Sequence, residues 1–279
     1  MLSIRLLTAM VILPAFLSLL IFGSKNSVFV FCFLCMEISL FEFSRMLQAA
    51  SQPLLNGVGK AVNVYLQMLI MLLGAGLFAS VTVVKNGYEH VSIITFFFFG
   101  IICGMLLGKN IESSIKNVTH ILLSLSYLVI PWVVIWELYE LKSSGMYLIF
   151  LFSVVALSDT GAYFSGKFFG RIKLSPVLSP NKTWEGALGG LAAAMIGGSF
   201  IGYSMSLFSN SWPVLVFVSF VCSVAGILGD LVESLFKRYS NVKDSGKIFP
   251  GHGGFLDRVD SAIFAAPALY LAVILFTKF

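Results

Sequence analysis

The stretch WPVLVFVSFVCSVAGILGDLV, residues 212–232, is one of several long apolar runs that decide the fold. Its single charged residue is Asp230, close to its end. A helix of about 20 apolar residues crosses the hydrocarbon core of a membrane, so this run predicts a membrane-spanning helix. The composition agrees, because 58% of the 279 residues are hydrophobic and only 11% are charged, against roughly 25% charged in soluble domains. The sequence therefore predicts an all-α polytopic transmembrane helical bundle.

Apolar runs of similar length recur along the chain between short polar segments, and we predict nine spans. We interpret the first as an uncleaved helix, because its apolar run exceeds the roughly 7–15 residues of a secretory signal core. The second is the least regular, since it carries Glu37 and Glu42, and an interfacial helix running to Ala50 is an alternative for its end. The predicted spans are 6–22, 27–43, 61–84, 91–108, 119–139, 146–168, 187–208, 212–232 and 259–277.

The basic residues orient these spans. With nine spans, only Lys25, Lys85, Lys142 and Lys278 fall on the side opposite the N-terminus, and the other fourteen of the 18 Lys and Arg share its side. An excess of Lys and Arg marks cytoplasmic loops. We therefore predict a cytoplasmic N-terminus and a site at the cytoplasmic face, in the inner membrane if the source is bacterial.

The polar loops also suggest a division of the chain. We predict N-terminal transmembrane helices over 1–110 and a transmembrane catalytic region over 111–279. The catalytic region carries the two larger predicted cytoplasmic loops, 169–186 and 233–258.

Acidic residues within spans are candidates for function, because a charge at the membrane centre costs about 2.5 kcal/mol or more. Asp159, Asp230, Asp257 and Asp260 all fall near predicted cytoplasmic helix ends. Asp257 and Asp260 share a face if their segment is helical, and Asp230 stands four residues before Ser234. Carboxylate and hydroxyl oxygens suit Mg²⁺, so we predict a metal site at Asp230, Asp257 and Asp260. The alternative is simple ion pairing with Lys237, Arg238 and Arg258.

A glycine-rich segment, KDSGKIFPGHGGF at 243–255, lies between these acids, and we call it the glycine loop. Glycine permits close approach of the backbone to a ligand, and successive N–H groups can form an anion-binding nest. We predict a phosphate cradle here. His252 is expected to contact phosphate and not a metal, because the other candidate ligands are hard oxygens. The basic residues in and around the loop are Lys237, Arg238, Lys243, Lys247 and Arg258.

A second polar region contains SDTGAY at 158–163, GKFFGR at 166–171 and SPNKTWEG at 179–186. Its prolines and glycines favour a shaped loop over a helix. The candidates for nucleotide binding are Lys182, Thr183 and Glu185. A solvated, positively charged loop is the alternative.

The pattern S-x-F-K-R-x₄-K-D-x-G-x₂-F-P-x-H-G-G-F-x-D-R-x-D, from Ser234 to Asp260, closely resembles the signature of the phosphatidate cytidylyltransferase, or CDP-diacylglycerol synthase, family. The motifs DTGAY and SPNKTWEG resemble that family's second characteristic region. One departure is the order of Lys167 and Arg171, since the family pattern has arginine first. Arginine and lysine differ in bidentate phosphate contact.

The resemblance implies an enzyme that joins CTP and phosphatidic acid to give CDP-diacylglycerol and pyrophosphate for phospholipid biosynthesis. It also implies Mg²⁺, a monovalent cation such as K⁺, and a homodimer in the bilayer, with no nucleic-acid partner. The phosphate nucleophile is already ionised near neutral pH, so the site needs no strong base. It must instead orient two polyanions and stabilise the charge that spreads over them.

Roles can then be assigned to the candidate residues. Asp230, Asp257 and Asp260 are expected to bind metal or support its ligands. The residues expected to act on the phosphates are Ser234, Lys237, Arg238, Lys243, Asp244, His252 and Arg258, with Asp230 also catalytic. The residues expected to bind substrate or position its loops are Asp159, Lys182, Glu185, Gly253 and Gly254.

Two other functions remain open from the residues. One is a related CTP-dependent lipid kinase, or a cytidylyltransferase for another lipid phosphate. The complete H-G-G-F-x-D-R-x-D run argues for cytidylyl transfer. The other is a secondary transporter that moves protons or cations through Asp159 and Asp230. Transporters commonly have internally repeated halves, and this sequence shows no such symmetry.

Overall fold

The structure is a computed structural model that describes residues 14–50, 58–83, 87–141, 145–248 and 253–277. Most of the described residues are helical. The helices are α1 at 14–22, α2 Lys25–Ala50, α3 Val58–Thr82, α4 Glu89–Leu107, α5 Ile111–Ser124, α6 Ile130–Leu141, α7 Met146–Phe169, α8 Trp184–Ser204, α9 Trp212–Tyr239 and α10 Leu256–Phe276.

Eight helices in the described part of the chain are long and apolar enough to cross a membrane. Helices α5 and α6 form one of these, because a π-helical segment, Leu125–Val129, joins them without a break. Each of the eight overlaps one predicted span from 27–43 onward. The predicted first span, 6–22, lies mostly outside the described residues, and its described part is helix α1. The polytopic helical bundle is therefore confirmed.

Helices α2 and α5 both extend beyond their predicted bounds. Helix α2 is continuous to Ala50, so the residues after 43 continue the same helix. Helix α5 begins at Ile111, ahead of the predicted span at 119–139, because Asn110 provides a capping box. The Asn110 Oδ1 accepts a hydrogen bond from the Ser113 amide at 2.8 Å, and the Ser113 Oγ accepts one from the Asn110 amide at 3.0 Å.

Residues 158–169 belong to helix α7, in agreement with the predicted span 146–168, so the shaped loop predicted over the second polar region is wrong there. Glycines in this part serve helix packing. A Cβ built on Gly161 would lie 2.5 Å from the Cβ of Ala193, and one on Gly190 would lie 2.7 Å from the Ser158 carbonyl oxygen. Small residues let α7 and α8 approach this closely, as is common between membrane helices.

The predicted cytoplasmic loop 169–186 contains a small hairpin. Strand β1, Lys173–Ser175, pairs antiparallel with β2, Ser179–Thr183. The chain then enters α8 directly, because the Thr183 side chain accepts a hydrogen bond from the Gly186 amide at 3.1 Å and caps the helix. The other predicted loop, 233–258, is shorter than expected, since α9 continues to Tyr239 and α10 begins at Leu256.

Helices α7 to α10 pack against one another, and α2 lies beside α6, α9 and α10. A buried hydrogen bond of 2.7 Å between the hydroxyls of Ser158 and Ser223 joins α7 to α9. An ion pair between Lys25 and Glu140 joins the start of α2 to the end of α6. The opposite end of the bundle, away from this ion pair, consequently holds the final turns of α2, α7 and α9 and the first turns of α8 and α10.

Candidate active site

Three carboxylates meet where α9 crosses α10. Ligand oxygens of Asp230, Glu233 and Asp260 lie within 4.8 Å of one another. Glu233 is fully buried, and its Oε1 receives no hydrogen bond from any described N–H or O–H group. Two of the three predicted metal-binding residues, Asp230 and Asp260, belong to this cluster, and Glu233 completes it. Asp257 stays a predicted metal-binding residue. Like charges this close repel unless a cation offsets them, and an all-oxygen donor set suits a hard ion such as Mg²⁺.

Asp257 organises the glycine loop. Its Oδ1 accepts a hydrogen bond from the Lys237 ammonium at 2.8 Å. Its Oδ2 accepts three more, from the Ser245 amide at 3.0 Å, the Ser245 hydroxyl at 3.1 Å and the Gly254 amide at 2.8 Å. One carboxylate thus joins both ends of the loop to the last turns of α9. The structure therefore gives Asp257 a supporting position next to the acidic cluster.

Basic side chains tie the acidic cluster to its surroundings. Lys237 forms ion pairs with both Glu233 and Asp257, and Lys182 on β2 forms one with Asp230. The Arg238 Nε donates a hydrogen bond to the Leu178 carbonyl at 3.2 Å, which attaches the hairpin to α9. The hairpin and the glycine loop are thereby both linked to the carboxylates. Distant parts of the sequence meet at one depth in the bundle.

Glu42 was missed as a site residue by sequence reasoning. It is 3% exposed on α2, and its Oε1 accepts a hydrogen bond from the Phe255 amide at 3.0 Å. Its Oε2 accepts from the Leu256 amide at 2.9 Å and from the Ser245 hydroxyl at 3.0 Å. A carboxylate at the start of a helix satisfies free N–H groups and complements the helix dipole. The sequence signal that could have identified Glu42 was its position as an acidic residue inside an apolar run. The sequence analysis used that position only to describe the second span as irregular.

The glycines of the loop fit closely around these two carboxylates. A Cβ on Gly246 would lie 2.1 Å from the Glu42 Oε1, and one on Gly254 would lie 2.1 Å from the Ser245 Oγ. Gly253 has a φ of +84°, a conformation that other residues rarely adopt. The loop therefore requires glycine for internal packing, and the Gly254 amide is already bonded to Asp257. His252, predicted to contact phosphate, lies outside the described residues.

This geometry can be set beside known proteins. The sequence model of the cytidylyltransferase family matches residues 3–276. The chain belongs to the cytidylyltransferase family. Relatives named phosphatidate cytidylyltransferase include that of Staphylococcus haemolyticus (strain JCSC1435), 37% identical over 275 residues, and that of Staphylococcus aureus (strain COL), 38% identical over 275 residues. In both cases the match covers 98% of this chain and 99% of the relative, so the likeness extends over the N-terminal helices as well as the polar motifs.

Other predicted residues of this cytidylyltransferase-family chain take various positions. Asp159 on α7 interacts electrostatically with Asp230 and Lys182, which places it beside the acidic cluster. Glu185 accepts hydrogen bonds from the amides of Arg171 and Ile172 at 3.1 and 3.2 Å, so its carboxylate holds the start of the hairpin. The Ser234 Oγ is 3.4 Å from the Asp230 Oδ1. Lys243 and Asp244 line a cleft beside α2. Arg258 lies in the first turn of α10.

Tyr127 is a second residue that sequence reasoning missed. It lies in the π-helical segment, and its ring packs against Phe43 and Phe236 with centroid distances of 5.0 and 5.3 Å. Its buried hydroxyl has no hydrogen-bond partner among the described residues and interacts electrostatically with all three clustered carboxylates. Single π-helical turns frequently occur at functional sites. Nothing in the local sequence around Tyr127 distinguishes it from a packing aromatic.

Proposed function

We propose that this protein transfers CMP from CTP to phosphatidic acid, giving CDP-diacylglycerol and pyrophosphate. The observation that carries the proposal is the full-length similarity, at 37–38% identity, to relatives named phosphatidate cytidylyltransferase. In the reaction a phosphate oxygen of phosphatidate bonds to the α-phosphorus of CTP. The bond from that phosphorus to the oxygen bridging to the β-phosphorus breaks, and pyrophosphate leaves with the electron pair.

Asp230, Glu233 and Asp260 are the residues that would hold Mg²⁺. Bound there, the ion would neutralise charge on the reacting phosphates. The buried Glu233 oxygen without a donor supports this assignment. Asp257 supports the ligands by fixing Lys237 and the glycine loop. A monovalent cation remains an expectation from the family resemblance.

The lysines around the cluster are proposed to bind and orient the phosphates. Lys237 and Lys182 already lie against the carboxylates, so their charges border the space that a polyphosphate would enter. Asp159 and Glu185 are proposed to position Lys182 and the hairpin respectively. The other residues proposed to act on the phosphates are Ser234, Arg238, Lys243, Asp244, His252 and Arg258. Gly253 and Gly254 are proposed to shape the substrate-facing loop.

We propose that the site lies at the cytoplasmic face of the membrane. The excess of Lys and Arg on the N-terminal side supports this orientation. The contact between Glu42 at the end of α2 and the glycine loop supports the alternation of spans, since both belong to the same predicted side. CTP is water-soluble and phosphatidate keeps its acyl chains in the bilayer, so a site at this boundary reaches both. A homodimer stays a proposal from resemblance.

The decisive assay uses purified protein in detergent with phosphatidate, Mg²⁺ and CTP labelled at either the α- or the γ-phosphate. The expected result is α-label in the lipid product and γ-label in pyrophosphate. Label from the γ-position in the lipid would instead establish a CTP-dependent kinase. An absence of labelled lipid, with an active staphylococcal relative as the control, would overturn the proposal. Cation uptake by proteoliposomes without CTP turnover would favour a transporter.

A further inference from the structure

A cleft of about 690 Å³ lies between the C-terminal part of α2 and residues 242–248 of the neighbouring loop. One wall is helical, and the other contains the first half of the glycine loop. All of its lining residues belong to the described part of the chain. They are Phe41, Glu42, Arg45, Met46, Ala49, Val242, Lys243, Asp244, Ser245, Gly246, Lys247 and Ile248.

The cleft lining carries a net positive charge, with three basic residues against two acidic ones. Arg45, Lys243 and Lys247 line it, and none of them has an ion pair with a described carboxylate. Arg45 lies over the Phe41 ring, with its guanidinium carbon 5.4 Å from the ring centroid. The two acids in the lining are Asp244 and Glu42, and Glu42 already accepts three hydrogen bonds. An anionic ligand would therefore complement the cleft.

The remaining lining is apolar and partly open. Phe41 and Ile248 are 38% and 47% exposed, and Met46, Ala49 and Val242 add further apolar surface. The helical wall belongs to a membrane-length helix, at the end that holds the glycine loop. A nucleotide would use the cations but would leave this apolar surface unused. An anionic head joined to hydrocarbon would use both.

Hydrogen bonds connect the cleft wall to the acidic cluster. The Ser245 hydroxyl donates to Glu42 and the Ser245 amide donates to Asp257. Asp257 also accepts from Lys237, which pairs with Glu233. We propose that this cleft binds the phosphate headgroup of phosphatidate, with Arg45 and Lys247 contacting the phosphate and the apolar wall contacting the glycerol and upper acyl chains. This assignment rests on the proposed function and adds the location of its lipid substrate.

The test is a double variant, Arg45→Gln with Lys247→Gln, assayed in mixed micelles of varied phosphatidate content. We expect the apparent KM for phosphatidate to rise about ten-fold, as for the loss of charge-assisted phosphate contacts, while the KM for CTP stays within about two-fold of wild type. Arg45→Lys should recover much of the loss because it keeps the charge. Lys116→Gln is the matched control, since it removes a cation from an exposed pair with Glu112 on α5.

A rise in the KM for CTP alone, or no change in either constant, would overturn the assignment. Binding of dioctanoyl phosphatidate without CTP, compared with dioctanoyl phosphatidylcholine, separates this inference from the proposed activity. Selective phosphatidate binding that the double variant loses supports the cleft even if wild-type protein makes no CDP-lipid. If the wild-type protein makes CDP-lipid and the double variant binds phosphatidate as well as wild type does, the proposed location of the lipid site is wrong. The proposed activity is unaffected by that result.

Discussion

Glu42 provides a sharp test of the site, because one buried carboxylate on α2 holds both ends of the glycine loop. Glu42→Gln keeps the shape and one acceptor oxygen, so the hydrogen bond from the Phe255 amide can persist. The new amide group would face the Leu256 amide and the Ser245 hydroxyl, which now donate to Oε2. The hydroxyl can rotate, but the Leu256 amide loses its acceptor.

The size of the effect follows from these bonds. A hydrogen bond to a charged group contributes about 1.5–3 kcal/mol, and an unsatisfied buried donor costs a similar amount. We take about 2.7 kcal/mol as the expected destabilisation of the ordered loop, which corresponds to about 100-fold in an equilibrium constant. The kcat/KM for CDP-lipid formation should fall by about this factor, because the loop carries Lys243 and is bonded to Asp257.

The assay measures CDP-lipid formation and thermal unfolding in detergent for Glu42→Gln and for Glu37→Gln. Glu37 is the matched control, since it is an acid on the same helix whose Oε1 receives no hydrogen bond from the described residues. We expect Glu37→Gln to retain nearly full activity. Wild-type kcat/KM in Glu42→Gln, or equal losses in the two variants, would refute the reasoning.

Three further predictions follow from the same contacts. Glu233→Gln should abolish turnover and remove the Mg²⁺-dependent rise in Tm. The Tm of this variant in EDTA should equal or exceed that of wild type, because the repulsion between residue 233 and Asp260 is reduced. A preserved Mg²⁺-dependent rise in Tm would contradict the metal assignment. Asp257→Asn should lower kcat by about 100-fold or more, because the variant loses charge-assisted hydrogen bonds to the glycine loop and Lys237. The variant should keep the Mg²⁺-dependent rise in Tm. Loss of that rise would make Asp257 a direct metal ligand. Gly254→Ala should lower Tm and activity together, because its Cβ would meet the Ser245 Oγ at 2.1 Å; unchanged values would show that the loop relaxes freely.

Local sequence was sufficient for the membrane class and the polar motifs. The length of an apolar run determines whether a helix can cross the bilayer, and each span predicted from 27–43 onward overlaps a membrane-length helix. The signature at 234–260 was sufficient for the family, which the match over 3–276 confirms. The division at residue 110 stays a prediction, and α2 from the N-terminal part contributes Glu42 to the glycine loop.

Other features depended on rules that local sequence does not contain. The glycines at 158–169 suggested a loop, and in the membrane they serve close packing of α7 on α8. The spacing of Asp257 and Asp260 suggested one shared face, but the rotation of α9 against α10 brings Glu233 into the cluster.

The sequence by itself determined that this is a membrane protein of the cytidylyltransferase family, and it identified most of the polar residues near the site. Only the tertiary structure decided which carboxylates meet and which hold the loop. Glu42 and Ser245 are 203 residues apart in the chain, and their contact depends on how α2 packs beside α9 and α10. The length of an apolar run specifies that a helix forms and spans the bilayer. Side-chain packing between helices sets the rotation and depth of that helix, and with them the geometry of the site.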